Sequence, residues 1–142
     1  MAIFNLDPRL ENDCEWVCDL ELCKVMLLKD ANYPWLILVP LVNDCVEIID
    51  LDKGQQQQLW HESSIVSRVL QQLFKPDKLN IAAIGNVVAQ LHVHHIVRYS
   101  SDLCWPKPVW GQHPAKAYET EQLVQRVSLI AHSLTQLTKE SK

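Results

Sequence analysis

The chain has 142 residues, of which 48% are hydrophobic and 21% charged, and its formal net charge is -4. That length fits one domain with a core of its own, and the acidic balance excludes a broad basic face of the kind that grips a nucleic-acid polymer. The longest apolar run, Pro34 to Val42, holds two prolines and falls well short of the roughly 18 residues of a membrane span, so no membrane partner is expected.

The opening stretch from Met1 to Asp7 lacks a basic segment followed by an apolar one, so no secretory signal is expected. No element is predicted in the first twenty residues. The five cysteines, Cys14, Cys18, Cys23, Cys45 and Cys104, are odd in number and form no C-x-x-C pair. They point to reduced thiols in a cytoplasmic protein, rather than a disulfide framework or a common zinc site.

Leu22 to Leu28 is apolar enough for a strand, and Asp30 to Pro34 has the composition of a turn. Trp35 to Pro40 is a dense apolar run that reads as a buried strand ended by proline. The two runs suggest an antiparallel pair. A helix is predicted from Asp52, its N-cap, through Leu73, with Leu59, Val66, Leu70 and Leu73 at helical spacing and Lys75-Pro76-Asp77 as the stop. The glutamine run 55–58 inside it reads as a solvated face. Leu79 to Ile84 is a third strand, broken by Gly85-Asn86, and Leu91 to Tyr99 a fourth. A segment rich in tryptophan and proline follows, Trp105 to Gly111, which can form a rigid flap, a dimer contact, or a cover packed over the sheet. The last element is a helix carrying Leu123, Val127, Ile130, Leu134 and Leu137, a stripe that must pack on the sheet or on a partner subunit. No internal repeat or linker is visible. The mixture suggests a single α+β domain over 1–142 with a largely antiparallel sheet, a central helix and a C-terminal helix.

The chemistry concentrates in Gln90-Leu91-His92-Val93-His94-His95-Ile96-Val97-Arg98. Alternate strand residues share a face. Gln90, His92, His94 and Arg98 therefore project one way, and Leu91, Val93, His95 and Val97 the other. The imidazoles of His92 and His94, roughly 7 Å apart on one face, should open on a cleft. Three readings compete. The pair can be structural, satisfied by hydrogen bonds. It can begin a metal site, with a third ligand from Asp30, His113 or Cys104, although a cation beside Arg98 is electrostatically awkward. Or it can attack phosphorus: a neutral imidazole is a good nucleophile once an acceptor fixes its tautomer, and a second imidazole can donate to a phosphate oxygen.

The stretch from Gly85 to Arg98 resembles the signature of the histidine triad superfamily, in which three histidines alternate with hydrophobic residues after a Gly-Gln or Gly-Asn turn and before an arginine. Leu27-Leu28-Lys29-Asp30 and Leu36 to Pro40 resemble that family's ribose-binding acid and its "LVIP" strand. The resemblance covers about 22–99, with the Trp/Pro segment and helix at 105–139 outside it. It implies a histidine-triad-like fold in which His92 is the nucleophile and His94 the phosphate-contacting third histidine, while Gln90 stands in the place of the first. Asp30, Asn86 and Arg98 then bind substrate: Asp30 the ribose, Asn86 the α-phosphate region. Val87 stands where the family often has a phosphate-touching Ser or Thr. His95 takes a hydrophobic position on the opposite face. The implied activity is hydrolysis of a nucleoside phosphate, either a dinucleoside polyphosphate or a phosphoramidate, through a nucleotidyl-histidine intermediate. No cofactor is required; magnesium would accompany only a polyphosphate substrate. Gln90 cannot titrate, so any proton for the leaving group falls to His94 or the substrate. The same pocket without turnover would make a nucleotide-binding protein. The family is usually homodimeric, and a homodimer is expected here.

Overall fold

The computed structural model describes residues 3–140. Met1, Ala2, Ser141 and Lys142, the ends of the expected 1–142 domain and the start of the stretch read for a secretory signal, lie outside them. The elements run α1 (Pro8–Asp13), β1 (Cys14–Asp19), β2 (Cys23–Leu28), β3 (Trp35–Pro40), a 3-10 turn (Ile48–Asp50), α2 (Lys53–Phe74), β4 (Lys78–Ala83), β5 (Val93–Arg98) and α3 (Thr120–Glu140). The strands form one antiparallel sheet in the order β1-β2-β3-β5-β4.

The predicted α+β architecture is the one observed. Every residue of β3 and of β5 is buried, because both faces of the sheet are covered. On one face, Leu36, Leu38, Val93 and Val97 pack with Leu59, Val66 and Leu70 of α2 and Ile130 and Leu134 of α3. The C-terminal stripe is thus seated against α2 and β1 within the chain. On the other face, Tyr33, Trp35, Ile37, Val39 and Ile96 meet Leu10 of α1 and Val109 of the Trp/Pro segment. This second layer carries His94, with His92 beside it.

The structure revises several expectations. The N-terminal twenty residues do form elements: Asp7 caps α1, accepting from the Arg9 N–H at 2.8 Å, and Pro8 opens it. In β1 a register shift between Trp16 and Cys18 breaks the alternation that would have marked a strand. Asp52 caps α2, accepting from the Gln55 N–H at 2.8 Å while Gln55 Oε1 accepts from the Asp52 N–H at 3.0 Å. The glutamine run is therefore not a simple solvated face, for Gln56 also donates to Leu51 O and Gln58 to Glu62. Glu62 is buried between α2 and the β1–β2 turn, accepting from the Leu22 and Cys23 N–H groups. Finally, β5 begins only at Val93, so Gln90, Leu91 and His92 precede the ladder and are not bound by its alternation.

Candidate active site

His92 and His94 stand together at the start of β5, ring centroids 4.9 Å apart and nearly edge-to-face, closer than a regular strand would hold them. Both are mostly buried, at 8% and 7% exposure. Their protonation is fixed by partners that can play only one role. His92 Nδ1 lies 2.7 Å from the Gln90 carbonyl. A carbonyl only accepts, so Nδ1 carries the proton and Nε2 the lone pair. Trp35 Nε1 donates to His94 Nδ1 at 2.9 Å. An indole N–H only donates, so His94 Nδ1 is the bare nitrogen and its proton sits on Nε2. The two rings are locked into opposite tautomers, one offering a lone pair and the other an N–H.

Neither Nε2 has a hydrogen-bond partner among the described residues, and no buried side-chain N or O atom there lacks one. Both Nε2 atoms are therefore touched by solvent. His92 lines a cavity of about 220 Å³ whose walls include Val46, Ile48, Ile49 and Ile84. His94 is enclosed elsewhere by Trp35, at 5.6 Å, and Trp110, at 5.1 Å between ring centroids. Burial, reinforced by the neighbouring imidazoles of His92 and His94's other neighbour His95, pushes His94 down to about 3. At neutral pH it is an uncharged donor.

Gln90 is also placed differently from the sequence reading. Its side chain turns away from the imidazoles to the N-terminal segment, accepting from the Asp7 N–H at 2.8 Å and donating to Asn5 O at 2.9 Å. It touches His92 through its backbone carbonyl. Arg98, expected to bind substrate, is 1% exposed. It forms a bidentate pair with Asp102 (2.8 and 3.1 Å), donates to Asn80 Oδ1 at 2.8 Å, and lies between the rings of Tyr33 and Trp105. An arginine so committed pins the segment after β5 to the sheet and is withdrawn from any ligand.

Asp30 is buried and caps its turn: Oδ1 accepts from the N–H groups of Asn32 (3.0 Å) and Lys116 (3.1 Å). Asn86 is exposed in the bend after Gly85. Gly85 takes φ +71, and a Cβ there would fall 3.2 Å from Val88 O, so the turn beside the cavity requires glycine. His95 faces α2, buried, with Nε2 2.7 Å from Ser63 Oγ and Nδ1 on Val93 O. His113 stacks on Tyr33 and meets its hydroxyl at 2.7 Å, apart from the imidazole pair. Among the described residues no three His, Cys, Asp or Glu side chains are grouped to hold a metal ion, so the three-ligand constellations with Asp30, His113 or Cys104 do not form.

The sequence reading missed Trp35 and Trp110. Trp35 lies opposite Ile96 in the β3–β5 register, diagonal to His94. A tryptophan opening an otherwise aliphatic strand was the available signal.

Comparison with known proteins gives a consistent result. The HIT domain family matches residues 9–101. A histidine triad protein from Bradyrhizobium japonicum is 49% identical, covering 94% of this chain and 99% of its own, with a TM-score of 0.91. One from Marinobacter aquaeolei is 45% identical over 96% and 99%, with a TM-score of 0.92. At greater distance, a diadenosine triphosphate hydrolase from Plasmodium falciparum is 17% identical over 92% and 80%, with a TM-score of 0.60, a likeness of fold alone. No match is found among curated proteins.

Proposed function

This chain belongs to the HIT domain family, and on that footing we propose that it hydrolyses a nucleoside phosphate at its α-phosphorus through a nucleotidyl-His92 intermediate. The observation that carries the reading is the pair of opposite tautomers. His92 Nε2, with its lone pair free, attacks phosphorus in line. His94 Nε2–H donates to a phosphate oxygen as charge develops there. The bond to the leaving group breaks with its electron pair going to the leaving oxygen; water then attacks phosphorus, the P–N bond breaks with its pair returning to Nε2, and the water's proton passes to solvent as the mononucleotide leaves.

The base takes the apolar slot formed by Ile48, Ile49 and Ile84 beside His92. A ribose hydroxyl at Asp30 meets Oδ2, because Oδ1 already accepts two backbone N–H groups. Asn86, exposed at the turn, contacts the α-phosphate region. Of the two leaving-group classes, a phosphate chain departs as an anion, whereas an amine needs a proton that neutral His94 supplies poorly and Gln90 cannot supply. Dinucleoside polyphosphates are therefore favoured over phosphoramidates. The covalent step needs no cofactor, with magnesium accompanying only the polyphosphate. We place the protein in the cytoplasm as a homodimer.

The test is hydrolysis of a diadenosine polyphosphate with and without a chelator. Turnover persists in chelator and falls at least about 10³-fold in His92→Ala. Tight nucleotide binding without turnover would make the protein a nucleotide-binding module, and loss of turnover in chelator would favour a metal-dependent enzyme.

A further inference from the structure

We propose that Gln90 is a positioning residue whose side chain clamps the N-terminal segment as a wall of the nucleotide cleft, a role that rests on the hydrolase reading above. Residues 3–7 join no strand, so their backbone groups need other partners. Two side-chain amides supply them. Asn43, from the loop after β3, accepts from the Asn5 N–H at 3.0 Å and donates to Ile3 O at 2.9 Å. Gln90 accepts from the Asp7 N–H and donates to Asn5 O. Two carbonyls, of Ile3 and Asn5, and two N–H groups, of Asn5 and Asp7, are thereby paired, as a sheet edge would pair alternate groups. An amide suits the task because it carries donor and acceptor together at the end of a flexible stem.

The same residue grips the nucleophile, since its carbonyl holds His92 Nδ1. Gln90 thus joins two things the sheet does not join: the segment at 3–7 and the tautomer of His92. The segment borders the site. Asn5, Asp7 and Asn43 line a cavity of about 380 Å³ that shares Val46 and Gln90 with the cavity lined by His92. Asp7 also lies within electrostatic reach of His92: its carboxyl is held below the usual range chiefly by hydrogen bonds from Arg9, with a smaller pull from His92. On the family resemblance Gln90 stands where a histidine is usual, and the clamp gives that departure a physical purpose.

The experiment compares Gln90→Leu, Asn43→Ala and the double variant, each in the full chain, by amide hydrogen exchange and by steady-state hydrolysis of a diadenosine polyphosphate. Losing a pair of net hydrogen bonds should speed exchange at Asn5 and Asp7 and raise KM about 5- to 10-fold. In Asn43→Ala, which touches neither imidazole, kcat and its pH profile stay put. Asn43→Ala moves KM the same way, and the double variant adds little, since either change frees the same segment. A fall in kcat or a shifted pH limb in Gln90→Leu with KM unchanged overturns the proposal, as does a silent Asn43→Ala, which also serves if Gln90→Leu does not fold. Absence of turnover in the unsubstituted protein would sink the hydrolase reading instead, and nucleotide dissociation constants and exchange rates would then judge the clamp.

Discussion

The chemistry of His92 and His94 is set by single atoms that touch them. The sequence displayed the two histidines openly, but His92 lies ahead of the ladder, so its place beside His94 is set by the turn before β5 rather than by strand alternation. It could not display Trp35 as the partner of His94, because the contact runs 59 positions along the chain. Arg98 was misread for a related reason. An arginine closing a histidine motif looks like an anion ligand, but Asp102 and Asn80, brought to it by the fold, absorb its charge and its donors. The claim that Trp35 fixes the His94 tautomer is tested by Trp35→Phe, which keeps an aromatic ring and deletes the donor. Loss of one buried hydrogen bond, worth about 1 kcal/mol, should lower kcat about 5- to 10-fold. Nitrogen NMR of the imidazole should change from one tautomer, protonated at Nε2, to a mixture. An unchanged spectrum in the variant would show that something other than the indole holds the ring.

At the scale of elements, α2 was readable because its cap, its apolar spacing and its stop all agree. The strand β1 was not, because the register shift at Trp16/Cys18 moves later residues out of phase with earlier ones. For β5 the apolar alternation survived, but the start of the ladder at Val93 came from pairing with β3 and β4. This strand buries an uncharged imidazole on each face: His94 is pushed down to about 3 and His95 to about 4, in both cases mainly by burial. Unfolding returns them to the ordinary value near 6.5, so below that pH the unfolded chain takes up protons that the folded one refuses. Stability is therefore full above about pH 6.5 and falls as pH drops toward 4, by up to about 1.4 kcal/mol per pH unit for each ring. The carboxyls of Asp7 and Asp102, held low in the folded protein, contribute losses only at more acid pH. Urea unfolding should show a midpoint that is level from pH 7.5 to about 6.5 and falls from there to 4.5; a profile flat throughout would mean that both rings charge within the folded protein.

Over the whole molecule the sheet divides labour. Its α2/α3 face is a packing core, and its other face gathers His92 and His94, the N-terminal segment and the Trp/Pro segment. The motif at 85–98 made the first half of that site legible. The segment at Asn5 and Asp7, held by the Gln90 side chain, and Trp110, beside His94, lie outside the motif in sequence and reach it only through tertiary packing. The central claim is that this face turns His92 into a covalent carrier of a nucleotide. Acid quenching during turnover of an α-labelled diadenosine polyphosphate, followed by mass spectrometry of the digested chain, reads this directly. Up to one nucleotide per chain should be found, linked to His92 and missing from His92→Ala. Full turnover with no labelled chain at any time point, or label attached elsewhere, would contradict it.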